Sequence, residues 1–234
     1  LPEVETAIDI AWAAATARPG IHLFDGPMCR LESWHADADR LRLTLSQSSY
    51  KQFLGTNMAH PEFARTFGRD VMANPVGLSA ALLTADRRLL LGHRSQSVAY
   101  YPGRIHPFAG SLEPKDASLF AAVGRELSEE LSLAADHLRS IRCIGIAEDP
   151  SLCQPELIFA VESSRTLAET EARLDPVEHN TMVAISAGAQ GIEKALADEA
   201  RLTPIAIASL LLWGRVHLSQ AWFEGMLPML SDGC

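Results

Sequence analysis

The residues of this chain best equipped for chemistry are the carboxylates of Arg125-Glu126-Leu127-Ser128-Glu129-Glu130-Leu131. Read as a helix, at about 100° per residue, Glu126, Glu129 and Glu130 fall on one face with apolar residues on the other. Like charges one turn apart destabilise an isolated helix, so the cluster needs a cation. Hard divalent cations take oxygen ligands, and Mg²⁺ binds through few carboxylates together with substrate phosphates. The competing reading is a solvated acidic face, the usual explanation of a charge run. The eight histidines show no H-E-x-x-H or paired spacing, which argues against a zinc hydrolase.

Such a cluster needs a scaffold, and the hydrophobic pattern outlines one. Asp116 to Leu133 reads as the helix, with Leu119, Val123, Leu127 and Leu131 on its buried face. Asp116 sits where an N-cap is expected. Upstream, Val76 to Leu83 is nearly all apolar, and Arg88 to Gly92 follows the turn Ala85-Asp86-Arg87. This hairpin has the pattern of strands buried in a mixed sheet. Arg104 to Phe108 is a further strand, and Ile141 to Ala147 pairs with Glu156 to Glu162. Thr166 to Leu174 reads as a helix, Thr181 to Ile185 as a strand, and the remainder as helical to about Leu227. The apolar stretches Leu210 to Trp213 and Trp222-Phe223 suit a cover for the sheet or a dimer contact, and are more often core.

Before Asn74-Pro75 the pattern differs. A helix over Glu3 to Ala17 is stopped by Pro19-Gly20, and strands Cys29 to Trp34 and Leu41 to Leu45 flank a polar turn from His35 to Arg40. A short helix from Ser49 ends at Gly55, read as its C-cap. Another covers His60 to Phe67, with Pro61 in its first turn. The expected organisation is a small α+β module over 1–74, then an α/β domain with a helical C-terminus over 75–234.

Composition limits the partners. The chain has 234 residues, 47% of them hydrophobic, which supports a real core, and its net charge is -9. An acidic chain without a basic footprint argues against nucleic acid, whereas a small phosphorylated ligand can still bind where metal ions neutralise it. Four scattered cysteines without a C-x-x-C pair read as thiols. The apolar run Ile205 to Trp213 is far below the roughly 20 residues of a membrane span. Ala7 to Ala17 contains Asp9 and lacks a basic leader, so no signal peptide is expected. These features point to a protein of the reducing cytoplasm without a membrane partner.

Extended outward, the carboxylate segment becomes Gly110-Ser111-Leu112-Glu113-Pro114-Lys115-Asp116, eight residues, then Arg125 to Glu130. This resembles the Nudix box, G-x5-E-x7-R-E-U-x-E-E-x-G-U with U aliphatic. The core R-E-U-x-E-E is intact and Leu133 fills the last aliphatic position. Asp116 stands where Glu is usual, one extra residue precedes Arg125, and Ser132 replaces the final glycine. The resemblance implies a Nudix α/β/α sandwich with a mixed sheet, whose box forms a loop-helix-loop and holds Mg²⁺, or Mn²⁺ as a substitute, against a diphosphate. Glu126 and Glu130 would then be principal ligands, Glu129 a ligand or water activator, and Arg125 the partner orienting Glu129. The Gly110 carbonyl and Glu156 would be further metal contacts. Glu178 would be a general base on a late loop, unless it is a solvated loop carboxylate. Arg94 and Arg104 flank a Gly/Pro-containing loop and suit phosphate oxygens, or are ordinary surface arginines.

A narrower resemblance runs through Leu23-Phe24-Asp25-Gly26-Pro27, Tyr50 to Asn57 and Asn74 to Asp86. These segments look like a small Nudix branch with an extra N-terminal module, and the likeness covers residues 7 to 185. Members of that branch hydrolyse UDP-glucose and related UDP-sugars to UMP and a sugar 1-phosphate. By this resemblance the partner is a small-molecule nucleotide sugar. Tyr50 and Asn57 are candidates for contacting its uracil, while Phe53 packs inside the module. Two other functions stay open: hydrolysis of another nucleoside diphosphate derivative such as ADP-ribose, and a catalytically silent module that senses a nucleotide sugar. The chain is expected to be a monomer or homodimer.

Overall fold

The computed structural model describes residues 1–18, 23–37, 40–174 and 179–231. They form two compact units. The first comprises Leu1–Gly77 with Ser111–Ala117 and Glu148–Pro155; the second comprises Leu78–Gly110, Ser118–Ala147 and the chain from Glu156 on. The sequence pattern suggests one division near residue 74. Two later segments nevertheless belong to the first unit, through backbone hydrogen bonds. Cys29 N–H donates to the Leu112 carbonyl at 2.9 Å, and Leu112 N–H donates to that of Val76 at 2.9 Å.

Within the first unit, helix α1 (Pro2–Thr16) starts at a proline, whose missing N–H costs nothing in a first turn. Pro19-Gly20, expected to stop it, lie outside the described residues. Strands β1 (Pro27–Ala36) and β2 (Leu41–Ser49) pair antiparallel, with a register shift between Leu31 and Ser33. Helix α2 (Tyr50–Phe53) is capped by the Ser49 hydroxyl and runs straight into a π turn, Leu54–Met58. Gly55 is therefore not the C-cap expected from the sequence. A Cβ there would collide with the Ile8 backbone, so the glycine allows α1 to approach. Helix α3 (Phe63–Thr66) is shorter than expected, and Pro61 precedes it. Phe53, Met28 and Ala73 form the core of this unit.

The second unit is built on one sheet of β3 (Gly77–Leu83), β4 (Arg88–Arg94), β5 (Ile105–His106), β6 (Phe108–Ser111), β7 (Leu138–Asp149), β8 (Gln154–Ser163) and β9 (His179–Ser186). The order is β5-β4-β3-β8-β7, with β6 beside β3 and β9 beside β4. The strand expected over Arg104 to Phe108 is split at Pro107, which has no N–H for a ladder. Every residue of β3 is buried, as a strand covered on both faces must be.

Alternation along the strands sends neighbouring residues to opposite faces. Ala81, Leu83, Leu89, Leu91 and Ala160 join one core with helices α6 (Ala189–Leu196), α7 (Pro204–His217) and α8 (Gln220–Ser231). (A short helix, α5, Leu167–Glu171, precedes β9.) Phe159, next to Ala160, faces the other way and meets Phe120 of α4 (Leu119–Leu131) edge-on at 5.9 Å. The architecture is an α/β/α sandwich. Leu210, Leu211 and Trp213 are buried in it, so the helical C-terminus covers the sheet. No helix among the described residues is long and apolar enough to cross a membrane.

Helix α4 carries the carboxylates, and its ends differ from the sequence expectation. It starts at Leu119, with the Ser118 hydroxyl accepting from Ala121 N–H at 3.1 Å. Asp116 is not the N-cap; its Oδ2 accepts the Glu113 N–H at 2.9 Å and closes the preceding turn. At the other end Ser132 takes the left-handed conformation, φ 51 and ψ 35, that glycine adopts most easily. The box that this segment resembles carries glycine at this position, where a residue without Cβ meets no such strain. Ser132→Gly removes that strain but loosens the unfolded chain, so it is expected to stabilise by about 0.5–1 kcal/mol. A denaturation midpoint that falls would contradict this account.

Candidate active site

One side of α4 turns inward. Ala122, Val123, Leu127 and Leu131 are buried, each large side chain contributing about 1.5–3 kcal/mol. They fix the rotation of the helix and so bring Glu130 inside with them; its side chain is 8% exposed. Glu126, one turn earlier, is 15% exposed, whereas Glu129 is 60% exposed. The three glutamates therefore do not share one environment, as the sequence suggests; two are drawn in and one faces water. The spread follows from the 100° step that separates Glu129 from Glu130.

Arg125 ties the pair that would otherwise repel. Its Nη1 donates to Glu126 Oε1 at 2.7 Å and to Glu129 Oε2 at 3.3 Å. The i,i+4 contact to Glu129 exists, but the shorter bond goes to the adjacent Glu126. Across from Glu126 stands Gly110 on β6, where any Cβ would collide with the Glu126 carboxylate. Glycine lets the strand backbone and the carboxylate lie against each other.

His179, at the start of β9, places Nε2 3.5 Å from Glu130 Oε1. At that distance a charged imidazole would form an ion pair. Burial, reinforced by the positive charge of Arg94 and by His93, holds its pKa down to about 4. At neutral pH this is a neutral ring beside a carboxylate, and the geometry is better described as a long polar contact. Gly92 lacks the Cβ that would strike the ring, and Phe108 packs against it edge-on at 5.1 Å. Nothing local in the sequence marks His179, because only the fold brings β9 beneath α4.

The other expected site residues are dispersed. Glu156 on β8 is buried and accepts a hydrogen bond from the Ser79 hydroxyl of β3. Among the described residues no three His, Cys, Asp or Glu side chains converge closely enough to hold a metal ion. Arg94 is only 5% exposed; its Nε donates to the Tyr100 carbonyl at 3.1 Å and its guanidinium stacks 4.4 Å from the Tyr100 ring centre. The side chain thus packs against its own loop. Arg104 is exposed and donates to the Leu202 carbonyl at 3.2 Å. Glu178 lies outside the described residues.

In the first unit, Tyr50 is half-buried between Trp12 and Phe53, and burial pushes its phenol pKa up. Asn57 is fully buried. Its Nδ2 donates to the Leu152 carbonyl at 2.8 Å and the Cys153 carbonyl at 3.3 Å. Its Oδ1 accepts from Ala73 N–H at 3.1 Å and from the Thr56 hydroxyl at 3.0 Å. Both donors and both lone pairs of the Asn57 amide are thus occupied within the first unit.

The donor set that does face inward, Glu126 and Glu130 one turn apart with the Gly110 backbone against Glu126, is all oxygen and suits a hard divalent cation. No protein-family model matches the chain. It is 30% identical over 252 residues to the uridine diphosphate glucose pyrophosphatase NUDT22 of Mus musculus, covering 92% of this chain and 81% of that one. The Homo sapiens protein of the same name is 28% identical over 255 residues, covering 93% and 84%. Among solved structures, a MutT protein from Methanosarcina mazei Go1 is 20% identical with a TM-score of 0.48, over 62% of this chain and 96% of that one. The chain belongs to the Nudix hydrolase family and, within it, to the branch of the uridine diphosphate glucose pyrophosphatases. Nudix hydrolases generally use divalent metal ions.

Proposed function

We propose that this chain hydrolyses the diphosphate of a UDP-sugar such as UDP-glucose to UMP and a sugar 1-phosphate, using Mg²⁺ with Mn²⁺ as a substitute. The observation that carries this reading is the inward pair Glu126 and Glu130 against Gly110, in a chain whose relatives are named for that activity. Glu126, Glu130 and the Gly110 carbonyl would hold the ion. When bound, it supplies charge neutralisation for the diphosphate and a lower pKa for water. Arg125 keeps Glu126 and Glu129 in fixed relation by bonding to both. Glu129, open to solvent, would take the proton of the attacking water. His179 steadies Glu130 as a neutral group and adds no charge that would compete with the cation. The three described cysteines are free thiols, which suits the cytoplasm we assign it to, as a monomer or homodimer.

A panel of UDP-, ADP- and GDP-linked substrates with Mg²⁺, products resolved by chromatography, tests the assignment. UMP and glucose 1-phosphate should appear from UDP-glucose, with kcat/KM at least about 10-fold above the ADP- and GDP-linked compounds. A preference for ADP-ribose would move the chain to another Nudix substrate class, and activity untouched by EDTA would contradict the metal assignment.

A further inference from the structure

In the second unit, β9 closes one end of the sheet and pairs with β4 alone. The register fixes which of its backbone groups are used. Ala187 N–H donates to the Arg87 carbonyl at 3.2 Å, and the same antiparallel register sets Ile185 against Leu89 and Val183 against Leu91. These residues turn their N–H and C=O toward β4, so Met182, Ala184 and Ser186 between them turn theirs outward. The far side of β4 agrees. The Arg88 carbonyl accepts from Thr84 N–H at 2.9 Å, and Arg94 N–H donates to the Arg104 carbonyl at 2.9 Å, so the even-numbered residues serve that side. Of the outward groups on β9, only the Ser186 carbonyl is taken among the described residues, by Gly188 N–H at 2.8 Å.

Proteins protect such edges with charged side chains, proline or a bulge, because an open edge is a template for another strand. Strand β7, at the opposite end of the sheet, carries Arg139 and Arg142. From Thr181 to Ser186 β9 has no charged residue and no proline, and the bulge against it lies earlier, between His93 and Arg94. Beside this edge is a cavity of about 400 Å³. The buried side chains of Ile105, Ile185 and Leu202 form its apolar floor, and the edge residues Ala184 and Ser186 line it as well. Lys194 of α6 and Arg201 stand on its rim. Arg201 Nη1 is 3.3 Å from Asp198 Oδ2, whereas Lys194 is exposed and has no carboxylate partner among the described residues. Main-chain bonds to a sheet edge supply affinity for an extended peptide, and a pocket beside the edge selects its side chains.

We propose that β9 and this cavity form a docking site for an extended peptide segment of a partner protein. The segment adds a strand to β9, seats an aliphatic side chain on Ile105, Ile185 and Leu202, and sets a carboxylate against Lys194. Side chains of a strand alternate between its faces, so the aliphatic and acidic residues stand two apart. The charge of Lys194 selects the partner. A second copy of this chain, pairing β9 with β9, would bring a strand without a carboxylate.

The test is fluorescence anisotropy of a labelled peptide, Ser-Thr-Ile-Thr-Glu-Thr-Ser, titrated with the full chain. Serine in place of its isoleucine should weaken binding by about 10-fold or more. Lys194→Glu, at an exposed position outside the active site, should leave UDP-glucose turnover unchanged and weaken binding by about 10-fold or more. A peptide with lysine in place of glutamate should bind Lys194→Glu better than the wild type. Ala184→Pro removes an outward N–H and spares the ladder to β4, as proline on an edge strand does, and should weaken binding by about 5-fold. If Ala184→Pro also lowers the melting temperature, the charge exchange at Lys194 decides. No binding of the peptide, or equal binding by the wild type and Lys194→Glu, overturns the proposal. A wild type that is dimeric by light scattering and made monomeric by Ala184→Pro gives the edge to a second copy and overturns it too. Binding is read without turnover, so its failure and the failure of the hydrolase reading are separate results.

Discussion

Glu130→Gln is expected to lower kcat by at least about 100-fold while leaving the chain folded. Removing a group that merely supports a metal ligand costs about 10- to 100-fold in affinity or activity, and Glu130 is proposed as a ligand itself. Glutamine keeps the shape of the buried side chain, and an amide oxygen can still face His179 Nε2. What it removes is the negative charge. The cation response separates a ligand from a structural residue. Mg²⁺ at 100 times its Kd stabilises by about 2.7 kcal/mol, or roughly 5–10 °C at about 2–4 °C per kcal/mol for a chain of this size. The wild type should show that rise and Glu130→Gln should lose most of it. Near-normal turnover with an undiminished Mg²⁺ response would remove Glu130 from the site.

The contrast between Glu130 and Glu129 shows which part of such a site a sequence reveals. The helix and the carboxylate run are local: spacing and leucine periodicity are enough to place them. The depth of each carboxylate is not local, because it depends on where β6 and β9 pass beneath α4. Gly110 reads only as one position of a motif until the backbone shows that a Cβ would strike Glu126. His179 is invisible for the same reason, and Arg94, which looks like a phosphate ligand beside a loop, is turned inward onto Tyr100. Helix ends fail differently. Asp116 and Ser118 both suit an N-cap by residue type, and only the backbone chooses Ser118. Gly55 looked like a helix end by composition, whereas α1 needs it as a point of close approach.

Asn57→Ala is expected to destabilise the first unit by about 3 kcal/mol, since each buried partner left without its hydrogen bond costs about 1–3 kcal/mol. The amide connects two stretches far apart in the chain, the backbone N–H of Ala73 and the carbonyls of Leu152 and Cys153. Truncation leaves both carbonyls without this donor. Ala73 N–H suffers less, because the Thr56 hydroxyl also accepts from it at 3.1 Å. Asn57→Asp should be at least as damaging: it keeps the acceptor but turns a buried carboxylate toward two carbonyl oxygens. The readout that decides the residue's role is the separation of stability from substrate affinity. If Asn57 recognised uracil, its loss would raise KM in a fully folded protein. The buried network predicts the reverse, a lowered denaturation midpoint with an unchanged KM for UDP-glucose in the fraction that remains folded. A stable Asn57→Ala variant with a KM raised by about 10-fold or more would return the residue to the binding site, since leaving a polar group of the base unpaired carries a penalty of that size.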